Sequence, residues 1–206
     1  MSNGGASSQG GGFSRSQRYA QASETIGEWL EQNRLPGYPL YYTETTQLTL
    51  NGAPSGLRGA LGRLTITLSN YPHAVFGVMI DTFYDVPDAF IEAEPDYYVR
   101  QEQGGINDAM SLRLQLTQQN ITQQPAPVIS FNGGPGGVWR PFPTIYWFRA
   151  ANQIVAELRR LQSYPRIVTE DEQEFRPVPE VMLTMVTVQL NSDYFPGSMP
   201  GSTGRP

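Results

Sequence analysis

The sequence predicts an all-β protein, a jelly-roll sandwich of about eight to ten strands with a short N-terminal helix and flexible terminal arms. Three observations support this prediction. Several short runs alternate apolar and polar side chains, which is the period of a strand with one buried face. Turn clusters rich in glycine, proline and asparagine separate these runs. The long acidic and glycine-rich connections fit Greek-key crossings better than simple hairpins.

The composition favours an all-β protein and argues against several classes of function. The chain has 206 residues, which suits one large domain or one domain with arms. Charged residues make up only 16%, and the 21 glycines and 17 prolines are typical of all-β proteins with many turns. A net charge of −5 argues against binding to nucleic acid, which needs a basic face. The first residues lack the apolar core of a signal peptide, and no apolar run approaches membrane-spanning length, so we expect neither a signal peptide nor membrane insertion.

The chain divides into four segments. Residues 1–16 are rich in glycine and serine and are predicted to be a flexible N-terminal arm. Residues 17–36 are predicted to be a helical lead-in, because apolar side chains recur there near helical spacing and a Pro-Gly pair ends the pattern. Residues 37–191 form the predicted sandwich, and residues 192–206 are a tail rich in glycine and proline.

Ten segments are candidates for the eight to ten strands predicted in the sandwich. Asn51-Gly52 predicts a tight hairpin turn, and the nearly apolar run from Ala74 should be a central strand that is covered on both faces. The predicted strands are Tyr38–Thr43, Gln47–Leu50, Arg63–Leu68, Ala74–Tyr84, Tyr97–Arg100, Ser111–Leu116, Val128–Phe131, Thr144–Phe148, Ile154–Leu158 and Glu180–Leu190.

The stretch from Trp139 to Leu161 joins an aromatic strand to an alternating one. Prolines on both sides of Phe142 fix an extended entry to the first strand. Residues 150–161 also include good helix formers, so a helix is the alternative for this segment. The aromatic strand before it and the Ser163-Tyr164-Pro165 stop after it favour a strand.

The residue inventory restricts the chemistry. The chain has one histidine, His73, and no cysteine, so we expect no catalytic residue, no cofactor and no metal site. His73 follows Asn70-Tyr71-Pro72, and the simplest interpretation of this segment is a turn. Six carboxylates between Asp81 and Asp96 leave two alternatives open, a carboxylate-dependent glycosidase and a calcium site.

Three stretches together resemble the single-jelly-roll virion proteins of bacteriophages. They are Leu35-Pro36-Gly37-Tyr38-Pro39, the central strand Ala74–Tyr84, and Pro141-Phe142-Pro143 leading through Asn152 into Ile154–Leu158. The resemblance implies a structural, non-enzymatic subunit of a virion, either a small capsid protein or a cement or decoration protein. It also implies synthesis in the host cytoplasm and assembly, as a homotrimer or larger, with other copies of itself and with other capsid proteins.

Candidate contact residues follow from the side chains that protein interfaces favour. Aromatic residues and arginine are enriched there, and the chain has no lysine. The candidates for subunit contact are Phe13, Arg15, Arg18, Trp29, Trp139 and Arg140. We expect the N-terminal arm to become ordered only in the assembled particle, on a neighbouring subunit. The second functional hypothesis is a carbohydrate-binding jelly-roll module on a phage appendage, with Trp139 as an exposed tryptophan.

Overall fold

A computed structural model describes residues 15–83, 110–116, 125–128, 139–148, 153–164, 166–168, 172, 174–178 and 180–191. Within them, one helix and two packed antiparallel sheets make up the main body. The helix, α1, is Arg15–Asn33. The strands are β1 (Gly37–Gln47), β2 (Thr49–Leu50), β3 (Ala53–Pro54), β4 (Leu61–Thr67), β5 (His73–Phe83), β6 (Met110–Leu116), β7 (Ala126–Pro127), β8 (Tyr146–Phe148), β9 (Gln153–Arg160), β10 (Ile167–Val168), β11 (Glu174–Phe175) and β12 (Glu180–Leu190).

The strand order confirms the predicted jelly roll. Sheet A has the order β1-β12-β5-β8, and sheet B has the order β3-β2-β4-β9-β6-β7. The pairing is nested, because β1 pairs with β12, β4 with β9, β5 with β8, and β6 with β7. A long antiparallel hairpin that folds over into two sheets gives this order. The two sheets hold four and six strands, ten in all among the described residues. Strands β10 and β11 form a separate small hairpin.

The main core lies between the two sheets. Strands β4 and β9 bury every second side chain, as their period-2 sequences predict. The inward side chains are aliphatic and almost fully buried, and they include Leu64, Ile66, Val78, Ile80, Leu112, Leu114, Ile154, Leu158, Leu183 and Met185. Residues 153–160 pair with β4 on one side and with β6 on the other, so the helix alternative for this segment is wrong.

Helix α1 lies on the outer face of sheet A. Ala22 and Ile26, four residues apart, are fully buried against the sheet. The helix ends where Arg34 takes a left-handed φ of 52° and the backbone N–H of Leu35 donates to the carbonyl of Leu30 at 3.1 Å. The predicted helix is confirmed, and it begins at Arg15, two residues inside the predicted arm.

Other predicted elements have mixed outcomes. The turn at Asn51-Gly52 is confirmed, with φ values of 54° and 83° between β2 and β3. Strand β5 is central and buried on both faces, as predicted, because α1 covers its outer side. Strand β7 at Ala126–Pro127 pairs with β6, and Val128, the first residue of a predicted strand, lies in a turn; residues 129–131 of that predicted strand lie outside the described residues. The predicted strand Tyr97–Arg100, the acidic connection 85–96, residues 1–14 and the tail 192–206 lie outside the described residues.

Candidate interaction surfaces

Arg18 binds within its own subunit. Its guanidinium forms an ion pair with the carboxylate of Asp81 in β5, and each side chain is 13% exposed. The ion pair joins the first turns of α1 to the outer face of sheet A. The carboxylate of Asp81 is therefore paired with an arginine of the same subunit. The other carboxylates of the predicted glycosidase or calcium cluster, at positions 85–96, lie outside the described residues.

Trp139 is buried beneath α1 by an irregularity in β5. The register between β5 and β12 shifts at Val186, which leaves Phe76 as an extra residue in β5. Phe76 and Gly77 consequently both face the outer side, and the indole of Trp139 packs against Gly77. Trp139 is 1% exposed. The interpretation of Trp139 as an exposed, sugar-binding tryptophan is wrong, because its ring belongs to the layer between helix and sheet.

The other predicted contact residues have different environments. Trp29 is half-buried, with its ring 4.9 Å from that of Phe76 in an edge-on arrangement and 5.7 Å from that of Trp147. Arg140 is exposed, Arg15 begins α1, and Phe13 lies outside the described residues. The structure thus places Arg18 and Trp29, both on α1, and Trp139 beneath α1 at the interface between helix and sheet A, within a single subunit. A contact role for Phe13, Arg15, Trp29 and Arg140 stays a prediction.

A chain of hydrogen bonds runs from the core to the surface beside the turn between β4 and β5. Tyr42 Oη lies 2.9 Å from Nε2 of His73 and accepts a bond from the backbone N–H of Ser69 at 2.9 Å. The hydroxyl of Ser69 donates to Gln189 Oε1 at 2.8 Å, and Gln189 Nε2 donates to Tyr38 Oη at 2.6 Å. His73 and Gln189 are buried, whereas Tyr38 is 49% exposed. Nothing in the local sequence pattern indicated this network, which joins three strands and a turn.

The network determines the tautomer of His73. Nδ1 lies 2.7 Å from the carbonyl oxygen of Tyr71, which only accepts hydrogen bonds, so Nδ1 carries the proton. Nε2 is then the acceptor for the hydroxyl of Tyr42. Burial lowers the pKa of His73 below its ordinary value of 6.5, and the bond to Tyr71 opposes this only in part. His73 is the first residue of β5 and fully buried, so the interpretation of it as a turn residue is wrong.

Large apolar side chains are exposed at both ends of β4. Tyr38 and Tyr71, at 49% and 45% exposure, lie at the end where β4 turns into β5. Leu57, Leu61 and Leu161 lie at the other end, at 36%, 46% and 40% exposure. A backbone bond of 2.9 Å from residue 59 to the carbonyl of residue 160 holds the loops of this end together. Exposed apolar surface of this kind marks sites of protein contact when it is clustered.

The described residues contain no group of three or more histidine, aspartate and glutamate side chains arranged to hold a metal ion. No helix in the described part of the chain has the length and hydrophobicity needed to cross a membrane. No protein-family model and no curated protein matches the chain. The fold and the surfaces described above are therefore the basis for a functional proposal.

Proposed function

We propose that this protein is a structural subunit of a viral particle, either a capsid protein or a capsid-stabilising cement or decoration protein. The observation that carries the proposal is the nested pairing of eight strands into the sheet orders β1-β12-β5-β8 and β4-β9-β6-β7. Double-sheet jelly rolls form viral capsid domains, lectin domains and cupins. The resemblance of residues 35–39, 74–84 and 141–158 to phage virion proteins favours the first of these classes.

The exposed apolar side chains support a subunit with neighbours on more than one side. Tyr38 and Tyr71 at one end of β4, and Leu57, Leu61 and Leu161 at the other, give the sandwich two separate apolar surfaces. Closed or extended assemblies need at least two contact surfaces on each subunit, since one surface gives only a pair. The expected partners are other copies of this chain and other capsid proteins.

A carbohydrate-binding module is the second candidate, and Tyr38 and Tyr71 are the observation that favours it. Both tyrosines are about half exposed at the same end of the sandwich, and aromatic rings with a polar tip suit a partly hydrated ligand. In this alternative, sugar binding is lost in the double variant Tyr38→Ala and Tyr71→Ala. A glycan array with the native chain and this variant distinguishes the alternative from the structural proposal.

Self-association tests the structural proposal directly. We expect the purified full chain to form a homotrimer or a larger assembly in sedimentation velocity, and electron microscopy to show shells or decorated particles. A protein that stays monomeric at every concentration, in the presence or absence of particles, contradicts the proposal. Binding of glycans by that monomer favours the second candidate.

Removal of residues 1–14 tests the predicted arm without disturbing α1, which begins at Arg15. We expect the melting temperature of the isolated subunit to change little, because the truncation removes no described contact. If the arm binds a neighbouring subunit, the truncation should weaken assembly, because the surface of that neighbour then lacks the arm that binds it. Equal assembly of the truncated and full chains contradicts a contact role for Phe13 and the arm.

A further inference from the structure

The outer face of sheet B carries a row of charged side chains across three neighbouring strands. The strand register places Arg63 of β4 beside Glu157 of β9, and Glu157 beside Arg113 of β6. Arg159, two residues further along β9, points to the same face. Arg113 is half-buried and the other three are exposed. Three arginines against one glutamate make this face cationic, although the whole chain has a net charge of −5.

This arginine face (Arg63, Arg113, Arg159 and Glu157) has features of a contact surface beyond its charge. In the described part of the chain, Arg63 and Arg159 have no side-chain hydrogen bond or ion pair, so their guanidinium groups are available. Leu61 pairs in register with Arg159, and Leu61 and Leu161 add apolar surface at 46% and 40% exposure. Arginine next to exposed aliphatic side chains is the composition that protein interfaces favour.

The complementary surface lies on α1. Glu24, Glu28 and Glu31 are spaced by four and three residues, so they form one stripe along the helix. All three are exposed, on the side of α1 opposite the buried Ala22 and Ile26. This glutamate stripe is anionic along about 10 Å, at 1.5 Å per residue. The arginine face spans about 10 Å between β4 and β6, two strand spacings of about 4.8 Å.

The two surfaces point away from each other within one subunit. Helix α1 covers the outer face of sheet A, whereas the arginine face is the outer face of sheet B, on the other side of the sandwich. The glutamate stripe of one copy therefore meets the arginine face only in another copy. A contact between two different surfaces repeats from copy to copy and gives rings or extended rows.

We propose that the arginine face of sheet B binds the glutamate stripe of α1 from a second copy of this chain. The two surfaces have opposite charges and similar lengths, and these two properties identify the glutamate stripe as the partner of the arginine face. The proposal rests on the proposed function, because it names the contact through which the structural subunits associate.

Charge exchange between the two surfaces tests the contact. The sheet variant carries Arg63→Glu, Arg113→Glu and Arg159→Glu, and the helix variant carries Glu24→Arg, Glu28→Arg and Glu31→Arg. Each variant alone should self-associate about 10- to 100-fold more weakly at low salt, because like charges then face each other. The chain with all six substitutions should recover native affinity within about threefold, since opposite charges again face each other. A one-to-one mixture of the two single-surface variants should also recover association.

Two controls separate this contact from general charge effects. The pair Arg166→Glu and Glu174→Arg exchanges the charges of an exposed ion pair outside both surfaces and should leave association unchanged. Native association should weaken as salt rises, because the Debye length falls from about 10 Å at 0.1 M to about 3 Å at 1 M. Far-UV circular dichroism and melting temperatures of the variants should match those of the native chain.

The outcomes distinguish the contact from the proposed function. If the native chain assembles and both single-surface variants assemble equally well, the contact is wrong while the structural function stands. If the chain with all six substitutions self-associates as weakly as the single-surface variants, the contact is also wrong. Charge complementarity then does not explain the loss of self-association. A native chain that remains monomeric at low salt overturns the contact. It overturns the proposed function as well only if the chain also stays monomeric at every concentration in the presence of particles.

Discussion

His73 is a structural histidine whose neutral form completes a buried network. Its Nδ1–H donates to the carbonyl of Tyr71 and its Nε2 accepts from Tyr42, so both ring nitrogens are satisfied without a charge. The groups facing it are a backbone carbonyl and the neutral hydroxyls of Tyr42 and Ser69. A proton on Nε2 would remove the acceptor of the Tyr42 hydroxyl and would put a charge into a fully buried site. The residue is therefore suited to hold the turn between β4 and β5.

We predict that stability falls on mild acidification because of this residue. The pKa of His73 is below 6.5 in the folded chain and about 6.5 in the unfolded chain. As the pH falls, the unfolded chain takes up the proton first, so stability is complete above about pH 6.5 and declines below it until the folded pKa is reached. Urea unfolding between pH 7.5 and pH 5.5 measures this decline.

The variant His73→Gln is the matched control, because it retains hydrogen-bonding groups and does not titrate. Its stability should be nearly independent of pH over the same range. Since His73 is the sole histidine of the chain, its imidazole NMR signal is assigned without ambiguity. A titration midpoint at or above 6.5 in the folded protein would contradict this account.

At the scale of elements, the extra residue in β5 and the helix above it act together. The shift at Val186 turns both Phe76 and Gly77 toward α1, and the absence of a side chain at Gly77 leaves room for the indole of Trp139. Phe76 in turn packs edge-on against Trp29 of the helix. One irregularity in a central strand therefore makes the second, smaller core between helix and sheet.

Substitution of two glycines tests this arrangement. A Cβ at Gly77 would lie 3.0 Å from the ring of Trp139 and 3.3 Å from the carbonyl oxygen of Arg140. We expect Gly77→Ala to destabilise the fold by about 1–3 kcal/mol through overpacking. Gly27, in the middle of α1, has nothing within 4 Å of the added Cβ, and Gly27→Ala should stabilise by about 0.5–1 kcal/mol. Thermal unfolding of both variants checks that Gly77→Ala lowers stability and that Gly27→Ala raises it. A Gly77→Ala protein as stable as the native chain would contradict the packing described.

The sequence predicts those elements whose pattern is local. Period-2 alternation locates β4, β6 and β9, Asn51-Gly52 predicts the hairpin, and helical spacing of apolar residues predicts α1. The burial of Trp139 could not be predicted, because the partner that makes room for it is a glycine about 60 residues earlier in an irregular strand. The arginine face could not be predicted either, because Arg63, Glu157 and Arg113 become neighbours only through the register of three separate strands.

At the scale of the whole molecule, the core between the sheets carries the stability of the sandwich. Leu114 is fully buried in β6 among side chains from both sheets. We expect Leu114→Ala to cost about 2–5 kcal/mol, the range for large-to-small changes in a core. Thr65, exposed on the outer face of sheet B, is the control, and Thr65→Ala should change stability by less than about 0.5 kcal/mol. Equal unfolding free energies for the two variants would show that Leu114 is not a core residue.

The nested pairing has a consequence for how the protein is made. In the part of the chain that the structure describes, strand β1 pairs with β12 alone, and Gln47 pairs with Glu180. A ribosome adds about 5–20 residues per second, so β1 waits on the order of ten seconds for its partner to be synthesised. Strand β12 also supplies Val186 and Val188 to the surface under α1, so the helix has only part of its binding site until then. The nascent chain therefore exposes apolar strands until nearly all of the described sandwich has been translated, and the two sheets can close only after β12 has been made.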